Sequence, residues 1–334
     1  MSRSKLSDLL VEEVTEYEYI RETYGKTLVE LGSIYPELVV LDSDLTVSTK
    51  TNLFGKKFPD RFFTMGVSEQ DMMATAAGFA LYGKIPFAST FAVFATGRAW
   101  EHIRQSIAFP NLNVKIVATH AGVTVGEDGA THQALEDIAL MRVLPNMTVI
   151  VPADAVETEA VIRTIIDRKG PTYVRLARAK FPTIFKKSYK FEVGKAPILR
   201  EGKHVAIFAS GIMVSEALNA AKLLEKEGIG ASVANVSTIK PIDVQTIVEL
   251  AKMTGAVITA EDHNVVGGLG GAVSEVLSEE CPTPIKRIGI RDRYGTSGDG
   301  LKLLEYFGLK AKNIVQAVYE LLEFNSNSKS VGLL

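Results

Sequence analysis

A single cysteine, Cys281, stands in this chain of 334 residues, which rules out an intramolecular disulfide framework and any multi-thiolate metal site. Its expected role is a small buried hydrophobe near a helix end. No apolar run reaches the ~20 residues a helix needs to cross a bilayer, so no membrane association is expected. Charge of one sign is lacking too. Lys and Arg total 37 against 39 Asp and Glu, a net charge of −2. That balance offers no basic excess for nucleic acid, and no nucleic-acid partner is expected. The N-terminal MSRSKLSDLLVEEVTEYEY turns acidic too soon for a signal or transit peptide, so the expected location is cytoplasmic. There is neither a low-complexity tract nor a repeat with a period of about 20–50 residues. What remains is a globular composition, 46% apolar and 23% charged, long enough for two domains each with its own core.

Short β-rich runs alternate with amphipathic helical stretches, which predicts an α/β fold of mostly parallel sheets with helices on both faces. Residues 39–44, 62–67, 85–90, 114–120, 148–153 and 172–177 read as strands of a first domain over residues 12–180. Helices are expected between Ser68 and Gly83 and within Thr90–Ala108. Residues 181–203 mix prolines, lysines and aromatics without a period and read as a linker. A second α/β domain is expected over residues 204–325, with strands at 204–211, 231–238, 256–264 and 285–292. Its helices are expected near 213–227, 241–254, 269–279 and 312–323. The tail EFNSNSKSVGLL reads as frayed.

Chemistry concentrates in two segments. In FFTMGVSEQDMMATAAGFALYG a strand stops at Gly66 and a helix starts with Ser68 and Glu69. One reading is an ordinary helix start, with a serine cap and an acid favoured by the helix dipole. The other notes that ligands bind at the carboxyl ends of strands in open α/β sheets. There an apolar pocket would raise the Glu69 pKa and let it share a proton with a ligand nitrogen. Downstream, Phe91 and Phe94 in STFAVFATGRAWEHIR are either plain core or one wall of a flat heteroaromatic pocket.

The second segment is THAGVTVGEDGATHQALED. A strand ends at His120, and a glycine-rich loop carries Glu127 and Asp128 ahead of His132. No His-x-x-x-His pair or third soft ligand supports a metal. Plain loop structure is one reading; polar groups converging on a hydroxylated ligand are another. Arg178, ending the last strand of the domain, is either a solvated edge charge or a bidentate grip on a phosphate.

GVSEQDM, STFAVFATGRAW and GEDGATHQ, in this order and spacing, resemble the pyrimidine-binding domain of transketolases. Residues 190–325, with VAIFASG and EDHNVVGGLGGAV, are similar to that family's C-terminal domain. The resemblance implies thiamine diphosphate as cofactor. Glu69 matches the glutamate that hydrogen-bonds N1′ of the aminopyrimidine, Phe94 the ring stacked on it, with Phe91 beside it, and Asp44 an aspartate of the cofactor pocket. His120, Asp128 and His132 match residues that contact the sugar, with His120 and His132 counted as catalytic alongside Glu69. Arg21, Ser48 and Arg178 match binders of the sugar's terminal phosphate. Ser68 and Gln70 replace the usual arginine and histidine around the glutamate, and Gly97 replaces an expected tyrosine. These departures bear on which sugars fit, not on the cofactor.

One half of such an enzyme is missing from the pattern. The family holds Mg²⁺ (or Ca²⁺) through a GDG motif and a downstream asparagine. The GDG here, Gly298–Gly300, follows no convincing strand end and reads as turn chemistry. No metal ligand is assigned within the chain. The resemblance therefore implies a partner, the transketolase N-terminal, diphosphate-binding subunit, in an α2β2 assembly acting on sugar phosphates. Three alternatives stand beside it: half of a 1-deoxyxylulose-5-phosphate synthase, the β subunit of a 2-oxoacid dehydrogenase, and a non-catalytic regulatory subunit.

Overall fold

Valine, isoleucine, leucine and alanine fill the short runs that read as strands, and such runs suit strands covered on both faces. The computed structural model describes residues 6–330. In chain order its strands are β1 (Tyr17–Tyr19), β2 (Leu38–Asp42), β3 (Phe62–Thr64), β4 (Ile85–Ser89), β5 (Lys115–Ala121), β6 (Thr148–Ile150) and β7 (Thr172–Ala177). They continue with β8 (Lys180–Pro182), β9 (Ile198–Arg200), β10 (Val205–Ala209), β11 (Ala231–Asn235), β12 (Thr238–Lys240), β13 (Val257–Asn264) and β14 (Ile285–Ile290). Every residue of β2, β5, β7, β10 and β11 is buried.

The first sheet has the order β12-β6-β7-β5-β4-β2-β3 and the second β14-β13-β10-β11-β9. Pairing is parallel throughout except at one edge of each sheet, where β12 and β9 run antiparallel to their neighbours. Helices between the strands obey local rules. Met213–Lys226 buries Met213, Val214, Ala217, Leu218, Ala221 and Leu224, a stripe at helical spacing. Asp154 and Asp243 cap their helices by accepting from the backbone N–H groups of Glu157 and Thr246. The helix Val244–Thr254 stops at Gly255, whose φ of 64° is the left-handed turn glycine takes readily.

The structure departs from the sequence expectations in four places. The run read as one strand over 231–238 is two strands, and β12 leaves the second unit to pair with β6 of the first. The 181–203 segment is packed, not loose: Phe185 stacks on Tyr189 at 4.0 Å and both are buried, while β9 joins the second sheet. The cores of the two units run together. Each hydrophobic cluster draws on both, one joining Leu28 and Val174 to Ile207 and Leu224, the other Ala118 and Met141 to Phe208 and Leu250. The last helix runs Ala311–Ser330, through most of the tail that read as frayed; Val331–Leu334 lie outside the described residues. Among the described residues no helix is long and apolar enough to cross a membrane.

Candidate active site

Parallel strands deliver their carboxyl ends to one edge of a sheet, and here five of them converge there. β2 is followed by Asp44 and Ser48, β3 by Glu69, β4 by Phe91 and Phe94, and β7 by Arg178. β5 carries His120, and the Val123–Asp128 loop follows it. Arg21 joins them from the first turn of the helix Ile20–Ile34.

Glu69 opens the helix Glu69–Leu81, and Ser68 before it makes no side-chain cap. The ordinary serine-cap reading of this junction therefore does not hold. Glu69 is only 1% exposed. An apolar pocket is one of the two readings of this junction; the structure places a guanidinium there, with Arg98 Nη1 donating to Glu69 Oε2 at 2.7 Å. Burying a carboxylate is costly unless it is paired, and Arg98 supplies the charge. Arg98 reaches it from a stretch that read as a plain helix but is π-wound over Phe94–Arg98 and again over Ile103–Ala108. Such an expanded turn often marks a functional site, and here it lays the Arg98 guanidinium 4.7 Å over the Phe94 ring.

The aromatic wall is built from rings of two loops. Phe91 stacks on His120 at 3.8 Å and 19°, and lies 6.0 Å from Phe94 at 12°. His132 meets Phe94 edge-on at 5.3 Å. His120 is buried with φ 58°, a left-handed backbone that turns its side chain back into the site. Arg21 Nη1, which can only donate, lies 3.4 Å from His120 Nε2. Nε2 must then accept, which leaves the ring proton on Nδ1 to donate to Thr119 Oγ1 at 2.8 Å. Burial, followed by the charges of Arg21 and Arg178, pushes the His120 pKa down to about 3. The imidazole is neutral at ordinary pH, with Nε2 as its acceptor.

Two guanidiniums flank this wall. Arg21 Nη1 donates to the Ser48 backbone carbonyl at 3.0 Å, so the sequence pair Arg21 and Ser48 is joined through the main chain and not the hydroxyl. Arg21 Nε is buried without a partner. Burial and the neighbouring Arg178 lower the pKa of Arg21 below its ordinary value. Arg178 donates to the Val125 carbonyl and to Glu127 Oε2 at 3.1 Å, with Asp128 Oδ2 at 3.9 Å. Asp44 is exposed with φ 61°. Sequence reasoning missed the residue that shapes its turn: Asp42, buried, accepts from Leu45 N at 2.7 Å, Thr49 Oγ1 at 2.7 Å and Thr51 Oγ1 at 2.9 Å. Burial raises its pKa.

The loop carrying Asp128 and His132 is held from the second unit. Asp262 Oδ1 accepts from Val123 N at 3.1 Å, and Gln133 Nε2 donates to Val123 O, Gly126 O and, across the boundary, Thr296 O at 2.9 Å. A Cβ at Gly129 would sit 2.4 Å from Ser297 Oγ, so that hydroxyl would have to turn away, and the φ of 75° strains any side chain there. Asp299 of the GDG triplet caps a helix by accepting from Lys302 N at 2.9 Å. Its side chain is thus engaged as a helix cap, where the sequence reads a turn. Among the described residues no group of three or more His, Cys, Asp or Glu is placed to hold a metal ion.

This donor set fits a flat nitrogen heterocycle with a sugar beside it. It combines a buried carboxylate, stacked rings with a neutral imidazole and His132 packed on them, and two guanidiniums alongside.

The chain matches the family described as "Transketolase, pyrimidine binding domain" over residues 19–183 and "Transketolase, C-terminal domain" over residues 194–314. It is 52% identical to the "Putative transketolase C-terminal section" of Methanocaldococcus jannaschii, covering 91% of this chain and 96% of that one. It is 43% identical to the 6-deoxy-6-sulfo-D-fructose transketolase subunit SqwH of Clostridium sp., covering 92% and 96%. A solved structure described as a split gene transketolase, inactive beta4 tetramer, superposes with a TM-score of 0.86 at 55% identity, over 91% of this chain and 98% of that one.

Proposed function

Because the chain belongs to the transketolase family, as these matches show, we propose that it is the pyrimidine-binding subunit of a two-subunit, thiamine diphosphate-dependent transketolase. The enzyme moves a two-carbon ketol unit from a ketose phosphate to an aldose phosphate. The observation that carries this reading is Glu69, a carboxylate 1% exposed at a strand's carboxyl end, beside the Phe91–Phe94 wall. When bound, thiamine diphosphate supplies a carbon nucleophile that adds to a ketose carbonyl.

This chain's own residues do the rest. Glu69 holds the proton shared with N1′ of the aminopyrimidine, and Phe94, flanked by Phe91, positions that ring; Asp44, exposed after β2, is the aspartate assigned to the cofactor. His120, fixed as a neutral acceptor, and His132 orient the reacting hydroxyls, and Asp128 holds the sugar from the loop. Arg21, with the Ser48 turn, and Arg178 face the sugar's terminal anion, which would give Arg21 Nε its missing acceptor.

No site for Mg²⁺ and the diphosphate is assigned to this chain, so a diphosphate-binding subunit supplies it, in an α2β2 assembly. The names of the related proteins support a divided enzyme: one is a C-terminal section, one a subunit, and one a split-gene chain inactive as a tetramer of its own. The relative named for a sulfosugar favours a second reading of the terminal anion, since a sulfonate offers Arg21 and Arg178 the same tetrahedral oxygens.

Glu69→Ala, assayed with the partner subunit, is expected to lower kcat at least ~100-fold while the assembly persists on gel filtration. Turnover within a few-fold of wild type would reject the role given to Glu69.

A further inference from the structure

Arg98 makes, within this chain, the two contacts that the reading above reserves for the cofactor's aminopyrimidine. Its guanidinium is planar and rich in N–H donors. It donates to Glu69 Oε2 at 2.7 Å and lies 4.7 Å over the Phe94 ring. Those are the carboxylate that would hold N1′ and the ring that would stack on the heterocycle. Both cannot be shared. A second flat group does not fit in the space the guanidinium occupies over Phe94, and Glu69 Oε2 is already engaged by Arg98 Nη1.

We propose that Arg98 is an internal placeholder for the aminopyrimidine, neutralising Glu69 before loading and withdrawing when the cofactor enters. Two features allow the withdrawal. The Arg98 side chain is 46% exposed, so water can receive its charge. Gly97 beside it meets nothing within 4 Å of where a Cβ would be, which leaves room for the swing. The turn that carries it, Phe94–Arg98, is π-wound, a winding frequent at functional sites. The holding state also has a reason. Without Arg98 the empty chain would bury an unpaired carboxylate, a cost that falls on the apo protein alone.

The inference rests on the functional reading above, and calorimetry on the reconstituted two-subunit complex tests it. Arg98→Met keeps the apolar stem and removes the guanidinium. Thiamine diphosphate with Mg²⁺ is expected to bind this variant about threefold tighter than wild type, since no ion pair has to be broken. Inorganic pyrophosphate, which has no aminopyrimidine, should bind both proteins equally. The apo variant should melt below the apo wild type, and saturating thiamine diphosphate should close that gap. Weaker or unchanged cofactor binding in the variant, or an equal change for pyrophosphate, would overturn the placeholder. If Arg98→Met does not assemble, Arg98→Lys should tighten binding in the same sense but less, and weaker binding there would overturn it as well. If the wild-type complex binds no thiamine diphosphate, the functional reading falls first and takes the placeholder with it.

Discussion

At the scale of single residues, charge partners decide what the site groups can do. His120 illustrates the rule: a guanidinium on one side and a hydroxyl on the other leave one tautomer, and burial keeps it neutral. Arg178 is a sterner test of the assignments, because in the free chain it already has a carbonyl and Glu127 as partners. An incoming anion must compete for it. Arg178→Ala is expected to raise KM about tenfold for phosphorylated sugars and little for unphosphorylated ones. Equal changes in both, measured by coupled ketol-transfer assay, would reject a role at the terminal anion. Most of the site residues were legible because each sits at a strand end within a distinctive motif. Arg98 was not. Its sequence context, FATGRAW, carries no sign that the helix winds one residue wide there, and only that winding brings Arg98 onto Glu69.

At the scale of elements, β7 runs over the residues that its pattern predicts, since an apolar run bounded by turn residues leaves little choice of register. β12 was hidden for the opposite reason. Three residues that leave one unit to edge another unit's sheet have no period of their own, and tertiary pairing alone makes them a strand. Glu157 ties the turn after β6, the 181–203 segment and β11 together. It accepts from Ala153 N at 2.7 Å, Tyr189 Oη at 3.0 Å and Asn235 Nδ2 at 2.8 Å. Burial pushes its pKa up to about 7 from an ordinary 4.5. The folded protein therefore holds a proton that the unfolded chain has lost between those values, so stability falls as pH rises from about 4.5 to about 7. Glu157→Gln should flatten part of that slope, by a couple of kcal/mol across the window, in urea unfolding at pH 5 and pH 7. An unchanged difference between the two pH values would show that Glu157 does not carry the proton.

At the scale of the whole molecule, the hydrophobic clusters run across both units, which also meet at the Val123–Gln133 loop. That arrangement explains why the alternation of strands and helices revealed two units but not their interleaving: periodicity reports which face is buried, not against what. The account's central claim is that this chain is half of a cofactor site, and titration calorimetry tests it most directly. Thiamine diphosphate with Mg²⁺ would be titrated into this chain, into the diphosphate-binding subunit, and into the two together. The account predicts weak binding to this chain by itself and tight, Mg²⁺-dependent binding to the mixture. Tight, Mg²⁺-dependent binding to this chain alone would contradict it.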